Sequence, residues 1–311
     1  MTILCVTPNP AIDRTLIVHN FAKGGVFRPR QYQYDAGGKG INTARVVALL
    51  GGQAICAGFL GGYSGQHLAK MLETSGIQSH WTWLDDRETR TCVILIDPVS
   101  GLTTVINEPG PQLTEDDWQK LHDDLLIAAD DSVLISFSGS LPSNSCPESF
   151  IDILTELMQL GKQVWVDASG AALSAAVHVR GIAIKINDEE ASHLTNTPIR
   201  LPIDAVTAGQ QISAQIAGTV IITLGVQGAV LVDSDQVWYA LPPKIAVKSN
   251  VGAGDSFLGG LLVALEQGDG LPLALKKATA AGSANALSIG GGCFTQPEFD
   301  TMVRKIQLVR L

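Results

Sequence analysis

Val251-Gly252-Ala253-Gly254-Asp255-Ser256-Phe257 sets small residues and one carboxylate at the mouth of an apolar run that continues through Leu258, Leu261, Leu262 and Leu265. Gly252 and Gly254 lack a Cβ, so the backbone there can approach a phosphate and turn its N–H groups toward it. The apolar spacing predicts a buried helix over Phe257–Glu266 whose N-terminus points at the same anion. Asp255 has the chemistry to accept the proton of an attacking hydroxyl, so the stretch suits phosphoryl transfer. The same residues also fit an ordinary helix start, with Asp255 as a first-turn acid and the glycines as plain loop.

Around this stretch, short apolar strands alternate with helical segments. Strands are predicted at Ile3–Val6, Ala54–Phe59, Ser132–Ser136, Gln163–Val166, Ile182–Ile186, Val220–Leu224 and Ala229–Val232. Helices are predicted at Ile41–Leu50, Gly65–Thr74, Pro147–Leu160, Ala205–Ile216 and Leu273–Ser288 as well. Such alternation indicates an α/β fold with a mostly parallel sheet covered on both faces. Two segments depart from it. Thr91–Ile96 and Leu102–Asn107 flank Asp97-Pro98-Val99-Ser100-Gly101 and read as a β-hairpin, while Asp13–Tyr34 has strand-like spacing. We expect a large domain over 1–12, 36–86 and 110–311, and a small inserted β lid over 13–35 and 87–109 that shuts water out of the site.

The 311 residues carry a net charge of −9 and are 46% hydrophobic. A sizeable core is available, and the acidic balance argues against nucleic acid and anionic membrane surfaces as partners. Cys5, Cys56, Cys92, Cys146 and Cys293 are odd in number and widely spaced, as for reduced thiols in the cytoplasm. The N-terminal Thr2–Thr7 segment reads as a first strand and not a signal peptide. The six histidines lack ligand-like spacing, and the glycine pairs recur too irregularly for an internal repeat.

Standard nucleotide motifs are missing. Gln33 stands where a Walker A loop ending at Gly38-Lys39 needs its first glycine, and Gly40 where it needs Ser or Thr. Pro8-Asn9-Pro10 fills the turn where a dinucleotide fingerprint belongs, and no Gly-x-Ser-x-Gly elbow occurs. What remains is a second glycine cluster, Ala36-Gly37-Gly38-Lys39-Gly40-Ile41-Asn42, at the start of a helix. Its bare backbone, Lys39 and Asn42 suit sugar hydroxyls and a phosphate, or else form a tight turn with a solvated lysine.

Asn9-Pro10-Ala11-Ile12-Asp13, the Gly37–Asn42 cluster, Gly58–Gly61, Ser138–Pro142, Thr223–Gly228 and Val251–Ser256 occur here in an order that resembles the ribokinase-like (PfkB-type) sugar kinases over nearly the whole chain. The likeness is greatest to the sugar-phosphate branch: 1-phosphofructokinase, tagatose-6-phosphate kinase and the minor type of 6-phosphofructokinase. The resemblance implies ATP and Mg2+ as cofactors and assigns roles by position. Asp255 matches the catalytic base, with the amides of Gly252, Ala253 and Gly254 as anion hole. Asp13, Gly37, Gly38 and Asn42 match sugar-binding positions, with Ser138 among the substrate contacts. Lys39 and Arg90 match cations for the phosphate already on the substrate, assisted by Arg28 from the lid. Arg90 alone would read as an exposed strand-end arginine. Thr223, Gly225, Gly228, Lys185, Asn187 and Asn285 match nucleotide positions. Asn187 and Glu190 match the Asn-x-x-Glu element that positions magnesium, a segment otherwise readable as an acidic helix start. Some relatives bind a monovalent cation near Ser249, Val251 and the Ser288–Gly292 loop, so the resemblance extends to K+.

Two departures stand out. Ile186 replaces the usual proline before Asn187, which frees a backbone N–H, and Asn250 stands where Thr or Pro is frequent. The expected activity is transfer from ATP to a ketohexose monophosphate, with fructose 1-phosphate favoured by Lys39 and by Asn107-Glu108-Pro109-Gly110-Pro111. Tagatose 6-phosphate and fructose 6-phosphate are the alternatives, and a non-catalytic sugar-phosphate sensor is a more remote one. A single-layer lid would leave apolar side chains on its outer face, so a homodimer through the lids is expected.

Overall fold

The computed structural model describes residues 2–288 and 290–311. Its strands are, in chain order, β1 (Thr2–Thr7), β2 (Ala11–Ile17), β3 (Tyr32–Gly37), β4 (Gln53–Gly61), β5 (Gln78–Leu84), β6 (Arg90–Asp97), β7 (Leu102–Asn107), β8 (Ser132–Ser138), β9 (Gln163–Asp167), β10 (Ala183–Asn187), β11 (Val220–Thr223), β12 (Ala229–Asp233), β13 (Gln236–Leu241) and β14 (Gln307–Arg310). The helices are α1 (Lys39–Leu49), α2 (Gly62–Thr74), α3 (Glu115–Ala128), α4 (Pro147–Gln159), α5 (Gly170–Ala176), α6 (Asp188–Thr195), α7 (Pro202–Ile216), α8 (Ala253–Glu266), α9 (Leu271–Asn285) and α10 (Gln296–Lys305).

Ten strands form one sheet in the order β14-β13-β12-β11-β10-β9-β8-β1-β4-β5. The run from β11 to β5 is parallel, and β12, β13 and β14 extend it antiparallel. This is the α/β architecture that the alternating pattern indicates, in the ribokinase-like form that the resemblance implies. The continuous apolar strands follow from burial on both faces. In β1, Leu4 and Val6 enter the core under α3, α4 and α7, while Ile3 and Cys5 enter the opposite core under α1, α8 and α9. Ile184 and Ile186 of β10 likewise enter the first core.

A separate four-stranded sheet, β3-β2-β6-β7, stands beside the large one. The Leu102–Asn107 strand pairs antiparallel with β6, and β2 pairs parallel with β6 from Ala11↔Arg90 to Ile17↔Ile96. Among the described residues no helix covers the outer side of this sheet, where Tyr32, Leu102 and Ile106 share one face by register and are all exposed.

Helix starts lie earlier than apolar spacing predicts. α1 begins at Lys39 and α8 at Ala253, because the spacing marks the buried stripe, and the glycine caps Gly38 and Gly252 offer no side chain to flag the first turn. Strands β5 (Gln-Ser-His-Trp-Thr-Trp-Leu), β13 and β14 lie outside the predicted set, since short, part-polar strands at or next to a sheet edge carry a weak signal. Among the described residues no helix is long and apolar enough to cross a membrane. Cys5, Cys56 and Cys92 are buried free thiols.

Candidate active site

Thr223, Asn187, Asp167 and Ser138 end β11, β10, β9 and β8, four adjacent parallel strands. The register aligns Asn187 with Thr223 and Ser138 with Asp167, so these residues form a row along the carboxyl edge. Ligands of open α/β sheets bind at such edges.

Above the row, α8 brings in Asp255 within its first turn. The Asp255 side chain is buried, its Oδ2 accepts from Asn42 Nδ2 at 2.8 Å, and its backbone carbonyl accepts from Thr43 Oγ1 at 3.4 Å. Burial pushes the carboxyl up to about 6; the nearby Asp167 adds to the rise, while Asn42, Lys39 and Lys185 oppose it. A carboxylate so tuned is suited to take a proton near neutral pH. Asn42 is itself held by Arg45, whose guanidinium donates to Asn42 Oδ1 at 2.9 Å and to the Ala36 carbonyl at 2.6 Å.

Gly252 caps α8 in the left-handed region, φ 73°, where only glycine is at ease. A Cβ there would overlap the Gly291 backbone. Of the three expected anion-hole amides, that of Ala253 donates to the Asn250 carbonyl at 3.3 Å across the turn.

Below Asp255 lies a charge cluster. Asp167 is 1% exposed and accepts from Lys39 Nζ at 3.0 Å on one oxygen and from Lys185 Nζ at 2.7 Å on the other. Burial alone would raise its carboxyl, but the Lys185 and Lys39 ammonium groups hold it below the ordinary range. Lys39 is pushed up in turn, chiefly by Asp167. Lys39, expected at the substrate phosphate, is thus seated on Asp167, 4.0 Å from Glu190 Oε1. Lys185 Nζ lies 2.9 Å from where a Cβ of Gly254 would stand, directly at the α8 N-terminus.

Asn187 and Glu190 form a reciprocal capping box on α6: Glu190 N–H donates to Asn187 Oδ1 at 2.7 Å, and Asn187 N–H to Glu190 Oε2 at 2.9 Å. Glu190 Oε1 has no part in the box and faces Lys39. Among the described residues no group of three or more His, Cys, Asp or Glu could cage a metal. One carboxylate oxygen fits Mg2+, which keeps most of its waters and takes phosphate oxygens as ligands. Ile186, in the proline's place, simply continues β10 opposite Ile222, and its carbonyl accepts from Thr223 Oγ1 at 3.3 Å.

At the other end of the row, burial raises Asp13 to about 6; Arg90 and Arg45 counter this, and Asp35 and Asp255 reinforce it. A Cβ at Gly37 would meet the Asp13 carboxyl, so any larger residue there would have to displace that side chain. Gly38 caps α1 beside it. Arg90, at the start of β6, donates to the Asn9 carbonyl at 2.9 and 3.2 Å and to the Glu108 carbonyl at 3.0 Å, so its guanidinium is already oriented. Ser138 Oγ is buried and has no protein partner.

Four expected residues stand apart. Arg28 lies exposed on the loop between β2 and β3. Gly225 and Gly228 bracket an exposed turn after β11. Asn285, expected at the nucleotide, needs correction: it is fully buried, donating to the Val251 carbonyl at 2.8 Å and accepting from Cys293 N–H at 3.1 Å. Both halves of its amide are used within the protein, so it ties down the loop before Gly252. The expected K+ loop includes Ile289, which lies outside the described residues.

Asp167 and Arg45 have no part in the sequence reading, and Asn9 enters it only within the Asn9–Asp13 stretch. Asn9 Nδ2 donates to the Pro109 carbonyl at 3.0 Å and joins the two sheets' connecting segments. Asp167 closes the short apolar run Val164-Trp165-Val166, as any acid at a strand end could.

A buried base at a helix N-terminus, with paired ammonium groups and one carboxylate oxygen outside its capping box along a sheet's carboxyl edge, defines a phosphoryl-transfer enzyme. A family model described as pfkB family carbohydrate kinase matches residues 4–297, and the chain belongs to that family. It is 30% identical over 309 residues to 1-phosphofructokinase of Vibrio cholerae serotype O1, covering 99% of this chain and 97% of that protein. It is 30% identical over 313 residues to tagatose-6-phosphate kinase of Staphylococcus epidermidis, covering 99% and 100%. Among solved structures, phosphofructokinase-2 from Escherichia coli in complex with potassium is similar at a TM-score of 0.91 and 30% identity, with 98% of each chain covered.

Proposed function

We propose that this kinase transfers the γ-phosphoryl group of ATP to the free primary hydroxyl of a ketohexose monophosphate, with fructose 1-phosphate as acceptor and fructose 1,6-bisphosphate as product. The observation that carries the reading is the buried Asp255 carboxylate, held by Asn42 at the α8 N-terminus and raised toward neutrality. Asp255 takes the hydroxyl proton as the oxygen attacks. The backbone N–H groups around Gly252 and Gly254, with Lys185, offset charge on the moving group. Asp13, Gly37, Gly38, Asn42 and Ser138 orient the sugar, and Arg90 with Lys39 and Arg28 meets its phosphate. Thr223, Gly225, Gly228 and Asn187 flank the nucleotide. Mg2+, held through water by Glu190, would neutralise phosphate oxygens. The four-stranded sheet serves as the lid that excludes water. K+ near Ser249 and Val251 is supported by the potassium complex of the E. coli neighbour.

The choice of acceptor is tested by ADP release with ATP and Mg2+ against fructose 1-phosphate, tagatose 6-phosphate, fructose 6-phosphate and free fructose, in KCl and in tetramethylammonium chloride. Fructose 1-phosphate is expected to give the highest kcat/KM. Preference for free fructose would remove the phosphate role of Arg90 and Lys39.

For Asp255 the base must be ionised, so kcat/KM is expected to rise with pH through about 6 and level off above it. An acid limb near pH 4 would show an Asp255 of ordinary acidity. The exposed Tyr32, Leu102 and Ile106 on one face of the lid support a homodimer that covers them. Sedimentation velocity is expected to show a dimer, and a monomer at assay concentration would refute it.

A further inference from the structure

We propose that Asp167 is a positioning residue for phosphoryl transfer, its buried carboxylate clamping the Lys39 and Lys185 ammonium groups side by side beneath the N-terminus of α8. Each ammonium takes one oxygen, at 3.0 and 2.7 Å, so both oxygens of Asp167 are engaged with lysines. The residue acts through those lysines. Two like charges this close would repel, and Lys185 is itself only 4% exposed, so water cannot relieve it. One intervening carboxylate holds both and leaves the trio with a net positive charge, aimed where Gly254 opens the helix. The clamp is rigid because Asp167 ends β9 in register with Ser138, and its carbonyl accepts from Gly139 N–H at 2.9 Å. Lys39 also lies 4.0 Å from Glu190 Oε1, so it links Asp167 to the acid proposed to position magnesium.

The inference rests on the kinase reading, and the wild-type enzyme separates the two: no ADP from any sugar phosphate defeats the kinase reading, while an active wild type puts only Asp167 in question. Asp167→Asn is expected to lower kcat about 100-fold with KM for the sugar phosphate within about 3-fold. Lys185→Met should lose a similar factor, and Asp167→Asn/Lys185→Met should lie within about 3-fold of Lys185→Met, as for residues acting as one unit. The charged groups around Asp255 are Asp167 on β9, Lys39 on α1, Lys185 on β10 and Asp13 on β2. Removing the Asp167 charge should also move the acid limb of kcat/KM to lower pH through its charge alone, whereas a large fall in kcat with KM unchanged is what a purely structural ion pair would not give. An Asp167→Asn enzyme with kcat within about 3-fold of wild type overturns the proposal. If Asp167→Asn alone does not fold, Lys185→Met and the double variant decide: equal turnover supports the clamp, and a further tenfold loss in the double variant overturns it.

Discussion

Asp255→Asn is expected to lower kcat by about 1,000-fold while making the unliganded protein more stable. The amide keeps the size of the carboxylate and an oxygen for Asn42 Nδ2, so geometry survives and only proton acceptance is lost. The stability gain follows from the raised pKa. A buried acid pushed from 3.8 to about 6 binds its proton more tightly in the folded protein than in the unfolded chain. Its contribution is therefore unfavourable above pH 6 and fades as pH falls toward 4. At pH 7 the cost is about 2–3 kcal/mol, and replacing the acid removes it. Chemical denaturation at pH 7 and pH 4.5 checks this: the variant should exceed wild type at the first and approach it at the second. A variant with near-normal turnover would refute the base, and a loss of stability at pH 7 would show that the ionised form is favoured by its neighbours.

Gly252→Ala is expected to cut kcat by about 100-fold or more with a small effect on KM for the sugar phosphate. The left-handed cap costs a non-glycine residue about 1–2 kcal/mol by itself. The larger effect is positional, because the new Cβ would overlap the Gly291 backbone and one loop must move. Gly291 in turn lies against Asn42, the partner of Asp255, so both the anion hole and the base shift together. Gly268→Ala is the control: its φ is 85° just past the other end of the same helix, with no neighbouring atom within 4 Å of a Cβ. It should cost similar stability and leave kcat unchanged. Equal kcat losses in the two variants would reduce Gly252 to a matter of backbone strain.

How much of the site was legible depends on where each residue's function resides. Asp255, the glycines before it and the Gly37–Asn42 cluster belong to contiguous stretches, so spacing and chemistry could be read along the chain. Asn187 and Glu190 are three apart, and a reciprocal capping box needs only that separation. Asp167 is different. Its partners are 128 and 18 residues away, and nothing local distinguishes it from any acid that ends a strand. Asn285 erred in the opposite sense: its position fitted a nucleotide contact, but its amide is consumed by Val251 and Cys293.

The sequence by itself determined the alternating strands and helices, the inserted hairpin and the segments that carry chemistry, because these depend on periodicities of two and 3.6 residues and on short motifs. Tertiary structure alone decided which strand ends stand side by side, the pairing of Lys39 and Lys185 on one carboxylate, and the burial that raises Asp255 and Asp13. Those are properties of desolvation and of charge separation in space, which residues far apart in the chain acquire only when the sheet brings them together.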